Sequence, residues 1–557
     1  MKIGQQQPAR LTGFLKRNLR WLGALLLVFI LGLIAGGQEW HAMIDGLRTL
    51  PARLFQSAAH FGDLPTLVVD MNATSYNGIL GQRERALQDG VYIPAGRDFV
   101  TATICLNDSV VPVRMRLLEG PADHLGDDEK WGFEVRTRQN QRLLGMQRFY
   151  LQDPSANNWL NEWAFARALE REGILVARYQ FVHLVLNGDN RGIYALQEGF
   201  ANELLMAQGR PAGVIVRFDA DLLWESIAHF QGDARAAYAD SVANLSATDF
   251  QYFEVDTFRD AAISRDPELS AQRDQAIGLL RALQTGELEP SDVFDVEQYG
   301  LFLALVDLWG ATQGTSLVNL HYYHNPATAR LEPIGFNTNA LGADARLSLL
   351  ATYNDPVLQA AYAQETLRIS QPEYLDQLQA ELEPEFRQLQ QAVSAAYREI
   401  EPPWDQLRDR QEQIRRSLSP VQPVFAYLGS PELAADGILR VDVGNVLNLP
   451  VEIVGFDIHG ATVLPANRQW VQAESDELLT DSADQVVLRA FDAAQAPVMR
   501  YAHFDIPLAE IHRLDDELDF MQELDVQVIT RILGLSATQM TLARHGYPDV
   551  LVVETDQ

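Results

Sequence analysis

The side chains best suited to chemistry in this sequence are scattered rather than gathered into one catalytic string. His321 and His324 stand three residues apart in HYYH. On a strand that spacing puts the two rings on opposite faces, so packing is expected rather than zinc binding. Asp219 and Asp221 in RFDADLLWE form a candidate carboxylate pair, for which a solvated turn is the simpler reading. Cys105 is the single cysteine. It excludes an internal disulfide and a thiolate metal cluster, and its setting in TATICLN points to a buried, inert thiol. A GxSxG elbow, a Walker loop and an HExxH motif are all absent.

The elements that must position these groups follow from hydrophobic period. From Leu64 onward the segments LPTLVVDM, VYIPAG, DFVTATICLN, SVVPVRMRLLEG, WGFEVRT and RFYLQD read as short strands. NWLNEWAFARALER (158–171) carries a helical apolar stripe through Leu160, Trp163, Ala164, Phe165, Ala168 and Leu169, and Gly173 supplies its stop. YQFVHLVLNG and DNRGIYALQE read as a hairpin turning at Asn-Gly. Residues 235–312 read as helix, ending in the nearly all-apolar YGLFLALVDLWGA, and VNLHYYHNPATARLEPIGFN as a further hairpin. Residues 354–418 return to charged helix. SPVQPVF (419–425) reads as a linker, and the strands beyond it have the spacing of a small β-sandwich.

The amino terminus and the charge bound the rest. Lys2, Arg10, Lys16, Arg17 and Arg20 precede WLGALLLVFILGLIAGG (21–37), seventeen uncharged residues. Basic flank and apolar run together predict a single transmembrane helix with its amino end in the cytoplasm and the body outside. A cleaved signal peptide, ending at the small residues Ala35, Gly36 and Gly37, is the competing expectation. The chain holds 44 basic and 75 acidic side chains, a net charge of −31. Five of the basic ones lie before the apolar run, and so acidic a body argues against nucleic acid as a partner.

One stretch has a wider likeness. VRMRLLEG (113–120), His124, EKWGFEVRT (129–137), LLGMQRFYLQDP (143–154), NEWAFARALEREGI (161–174), YQFVHLVLNGDNRGIYALQE (179–198) and NLHYYHNPATARLEPIGFN (319–337) together resemble the bacterial spore-coat-H (CotH) kinase-like family, over about residues 64–350. The resemblance implies an atypical protein-kinase fold that uses ATP and Mg²⁺ to phosphorylate Ser or Thr. The fold class expected is therefore α+β. Its parts are a tail and anchor (1–37), a helical connector (38–63), a kinase-like domain with a helical extension (64–418) and a β-sandwich (424–557).

Phosphoryl transfer needs a cation on the phosphates, a carboxylate to position it, metal ligands and a base at the acceptor hydroxyl. The resemblance implies Lys130 or Arg136 as the nucleotide-binding cation, with Glu198 as its carboxylate partner. It places Asn319 and Asn337 where metal ligands belong. Relatives similar to this chain carry an aspartate shortly before the position of Asn319, and another where Asn337 stands. Here no Asp or Glu lies between Asp307 and Glu332. Asp307 is then the candidate base, although its place in an apolar helix suits a buried partner better. An Asn brings no charge to a metal, so affinity for a metal–triphosphate complex should fall. The expected function is a weak or inactive kinase, anchored in the inner membrane. It would act as a scaffold for an envelope or secreted protein partner in assembling a surface structure or extracellular polymer. An active Ser/Thr kinase of secreted proteins is one alternative. A carbohydrate- or protein-binding module, for which Trp470 is the available aromatic, is the other.

Overall fold

The computed structural model describes residues 64–546 apart from 127–129, 231, 233, 235–252, 259, 343–354, 395–399, 430–436, 459–461, 473–477, 480–484, 492–498 and 512–523. Alternation of apolar and polar residues builds its first unit. β1 (Thr66–Asp70), β2 (Val100–Leu106), β3 (Ser109–Leu117), β4 (Phe133–Thr137), β5 (Arg148–Gln152), β6 (Tyr179–Leu186) and β7 (Asp189–Glu198) close into a barrel in the order β1-β2-β3-β4-β5-β7-β6. The β6–β7 hairpin turns at Asn187 and Gly188, both at positive φ (49° and 90°), as a two-residue turn of matching twist requires. The seam is the parallel pairing of β1 with β6, with Val68 opposite Val185. Val113, Met115, Leu117, Phe133, Val135, Phe149, Leu151, Tyr194 and Leu196 fill the interior. The residues between them necessarily point outward.

A helix unforeseen in the sequence, α1 (Ala73–Asp89), packs on this barrel. Asn72 caps it by accepting from Ser75 N. Its buried Gln82 side chain accepts from the Tyr92 hydroxyl and from Leu117 N, both at 3.0 Å.

The second layer is a five-stranded sheet in the order β9 (Val255–Thr257), β8 (Val214–Phe218), β10 (His321–Asn325), β11 (Arg330–Gly335) and the short strand Leu175–Val176. Around it lie α2 (Leu160–Arg171), α3 (Pro267–Thr285), α4 (Val296–Trp309), α5 (Pro356–Ile369), α6 (Pro372–Ser394) and α7 (Trp404–Ser417). In α4 every residue from Tyr299 to Trp309 is buried except Asp307. A Cβ at Gly300 would stand 3.0 Å from the backbone nitrogen of Tyr362, so glycine lets α5 cross closely there.

Beyond Pro423 two further sheets share one core. The first runs Val471–Gln472, β16 (Ala502–Pro507), β13 (Ile438–Asn445), β12 (Val424–Leu428), Arg544–His545. The second runs β15 (Thr462–Pro465), β14 (Val451–Ile458), β17 (Val526–Ile532), β18 (Thr538–Leu542). Val441, Val443, Phe456, Phe504, Val526 and Val528 meet between them, and Trp470 packs at the margin. This unit is joined to the helices, since Leu449, Ile532 and Leu535 belong to the helical core and Gln364 Nε2 donates to Gly534 O at 3.1 Å.

The fold class expected from sequence needs correction on two points. The strands after Leu64 form a closed seven-stranded barrel within a mixed α/β chain, rather than the sheet of a kinase-like α+β domain following a transmembrane helix. Closure depends on the parallel pairing of β1 with β6, more than a hundred residues apart, which no local pattern announces. Second, no helix among the described residues is long and apolar enough to cross a membrane. The most apolar, α4, has 14 residues, about 21 Å against a hydrocarbon core of about 30 Å, and is apolar because it is buried on all sides. The run 21–37 and the connector 38–63 lie outside the described residues. The single-pass inner-membrane placement with an extracytoplasmic body is accordingly not supported.

Candidate functional site

Strand register lays out the outward face of the barrel. Arg114, Arg136 and Arg148 stand directly opposite one another on β3, β4 and β5. The adjacent row reads Arg116, Glu134, Tyr150 and Gln197 across β3, β4, β5 and β7. Like charges directly opposite on neighbouring strands repel, and Glu134 lies where it can neutralise them. Its carboxylate, 3% exposed, accepts from Arg116 at 2.6 Å and from Arg136 and Arg148 at 2.8 Å. Phe99 offers its ring to the Arg136, Arg116 and Arg114 guanidiniums at 4.3, 4.7 and 5.7 Å.

Tyr150 links this face to the second sheet. It is part-buried, its ring meets Phe336 at 5.8 Å, and desolvation pushes its hydroxyl up to about 12 although Arg148 opposes the shift. Nearby, burial also raises the Glu119 carboxyl, against the pull of Arg217 and Arg116. Asp219 precedes the helix Asp221–His229, whose N-cap position is Ala220, and accepts from Asp221 N at 2.9 Å. Burial and then Asp219 raise the Asp221 carboxyl. This pair therefore begins a helix rather than closing a carboxylate site.

The segment after β11 is held from α2. Asn337 and Asn339 take positive φ (50° and 49°), a conformation that asparagine tolerates better than most residues. Between them, Thr338 donates its N–H to Glu162 at 2.8 Å and its hydroxyl at 2.7 Å, while Ala340 N donates at 3.4 Å. Glu162 is buried; burial raises its carboxyl and these hydrogen bonds hold the rise back. The loop so fixed brings Asn337 to Asn319. Asn337 Nδ2 donates to Asn319 Oδ1 at 3.2 Å, and Asn319 Nδ2 donates to Gln313 O at 3.0 Å and to the Ser316 hydroxyl at 3.1 Å. His321 Nδ1 donates to Asn319 O at 2.7 Å with its ring stacked on Phe200 at 4.0 Å. Burial lowers His321 to about 3, so the ring is neutral.

The structure brings some of the sequence-derived candidates together and separates others. Asn319 and Asn337 meet. Lys130 and Arg136 do not share a partner: Lys130 Nζ donates to Ile193 O and lies over the Tyr194 ring, whereas Arg136 is held by Glu134. Glu198 joins neither. It is 1% exposed and receives a two-pronged bond from Arg178, at 2.7 Å from Nε and 2.6 Å from Nη2. Asp307 accepts from the Tyr362 hydroxyl at 2.9 Å and lies 3.9 Å from Arg410; burial raises its carboxyl. That is the buried partner its sequence setting suggested. Glu134, Arg148, Arg178 and Glu162 were not foreseen. The alternation in FEVRT and RFYLQD marks the outward positions, but only pairing across strands shows that Glu134 serves three arginines.

The outward arginines of the barrel and the loop pinned by Glu162 are thus the two ordered polar features of this region. The family model described as CotH kinase protein matches residues 127–417, just over half of the chain, and this protein belongs to that family. Comparison with curated proteins found no match.

Proposed function

We propose that this CotH kinase-like protein transfers phosphate weakly or not at all and serves as a scaffold for a protein partner. The observation that carries the reading is the Asn319–Asn337 amide pair, since the resemblance implies an Asp at the position of Asn337 and another shortly before Asn319, and this chain has neither. Two neutral amides, one oxygen already engaged by the other's N–H, are a poor fit for Mg²⁺, which favours charged oxygen ligands and near-octahedral geometry. Among the described residues no group of three or more His, Cys, Asp or Glu could hold a metal ion. Asp307 is engaged by Tyr362 instead of facing an acceptor. The direct test is incubation with labelled ATP and Mg²⁺ in the presence of general protein acceptors. No label on the chain or the acceptors is expected. Incorporation that Lys130→Ala abolishes would overturn the proposal.

A further inference from the structure

Trp163, Ala166, Arg167 and Glu170 recur at helical spacing on one stripe of α2 and border a groove of about 300 Å³. The residues leading into β1 supply Leu64 and Pro65, the start of β6 supplies Tyr179 and Phe181, and α6 supplies Glu385 and Leu389. Asn319, Asn337, Glu134 and Arg136 take no part in it. Its size is at the lower end for a binding pocket, with room for one large side chain rather than a nucleotide. The wall is apolar and closely packed: Trp163 and Tyr179 are each 4% exposed and Phe181 2%, with Tyr179 edge-on to Phe181 at 5.6 Å. The Tyr179 hydroxyl is buried without a hydrogen-bond partner among the described residues. Leu64, Pro65 and Leu389 are half-buried and form the mouth. The charged rim does not balance. Arg167 pairs with Glu170, and Arg178 pairs with Glu198. Glu385, exposed on α6, has neither an ion pair nor a hydrogen bond among the described residues. One negative charge is left over beside an apolar hole.

We infer that this groove docks a protein partner through one large apolar side chain, with a lysine or arginine beside that anchor reaching Glu385. An apolar anchor that leaves water for a preformed hole supplies the binding energy. The unpaired carboxylate at the rim sets the sign of its neighbour, and the net charge of −31 draws a basic segment in from a distance. The inference rests on the scaffold reading only in taking the partner to be a protein, and it needs neither nucleotide nor metal.

Ligand-observed NMR titration of the full chain with three short peptides tests the inference. The peptides are acetyl-Gly-Trp-Lys-Gly-amide and its counterparts with Glu in place of Lys or Ala in place of Trp. The Trp-Lys peptide should bind at least about threefold more tightly than either counterpart, the scale of an exposed ion pair, and added salt should narrow its lead over the Glu peptide. Glu385→Gln should abolish that lead with no change in melting temperature, since the side chain is exposed. Absence of Trp-Lys binding, which is also what filling of the groove by the residues just before Leu64 would give, overturns the inference. So does a charge preference that survives Glu385→Gln. No nucleotide is present, so the result separates from the labelled-ATP test: label incorporation alongside peptide binding sinks only the weak-kinase reading, and absent peptide binding without incorporation sinks only this inference.

Discussion

Asn337 and Asn319 face each other as an amide pair, Nδ2 to Oδ1 at 3.2 Å, across the junction between the loop after β11 and the turn before β10. Each belongs to a separate hydrogen-bonded frame. Asn319 is fixed by Gln313 and Ser316, and the Asn337 loop is fixed by Glu162 through Thr338 and Ala340, one and three residues further on. The pair is thus an ordered feature, held from both sides.

His321 gives a pH dependence of known sign. Its pKa falls from an ordinary value near 6.5 to about 3 on folding. The unfolded chain therefore binds the extra proton first, so this contribution to stability is intact above about pH 6.5 and is lost as pH falls toward 3. Urea unfolding across that window should show stability rising with pH, and His321→Gln should flatten the slope. An unchanged slope in the variant would place the titrating group elsewhere.

Glu162 should matter for stability more than its single charge suggests. Glu162→Ala leaves the Thr338 N–H and hydroxyl buried without acceptors, a cost of about 3 kcal/mol or more. Glu162→Gln keeps one oxygen acceptor and should lose less. Because burial raises the Glu162 carboxyl, its ionisation opposes folding. Its contribution is most favourable below about pH 4.3 and is lost as pH rises through the elevated folded value. Denaturation of wild type and both variants at pH 4 and pH 7 checks order and sign together.

Much of the architecture can be read from the residues, and the limits of that reading have physical causes. Asn187-Gly188 announces its hairpin because the turn needs two positive φ angles. Leu160–Arg171 announces itself by its stripe. α1 does not, because the face it buries includes Ser75 and Gln82, polar residues that earn their place through bonds to distant backbone and Tyr92. The segments that hold Asn319 and Asn337 can be placed from their hairpin. The partner of Glu198 cannot, since the sequence offers Arg136 and Lys130 and only the folded chain selects Arg178.

That selection can be measured. A double-mutant cycle with Glu198→Gln and Arg178→Gln should give a coupling of about 2 kcal/mol, as for a largely buried two-pronged pair. The same cycle with Lys130→Gln should give about 0.5 kcal/mol or less. Equal couplings would contradict the assignment.

The junction at Ser419–Pro423 is open to attack, with Val421 fully exposed. Limited proteolysis should cut there. The two pieces should nevertheless stay together on size exclusion, because Leu449, Ile532 and Leu535 pack into the helical core. Ready separation of a folded carboxyl-terminal fragment would show that this contact is weak.

The central proposal is that the neutral Asn319–Asn337 pair leaves the chain unable to hold a metal–nucleotide well. Calorimetric titration with ATP and Mg²⁺ on the unaltered chain and on Asn337→Asp tests it most directly. The account predicts weak or undetectable binding to the unaltered chain, and at least tenfold tighter, Mg²⁺-dependent binding once a charged oxygen stands at position 337. Tight, Mg²⁺-dependent ATP binding by the unaltered chain, with no gain from Asn337→Asp, would contradict it.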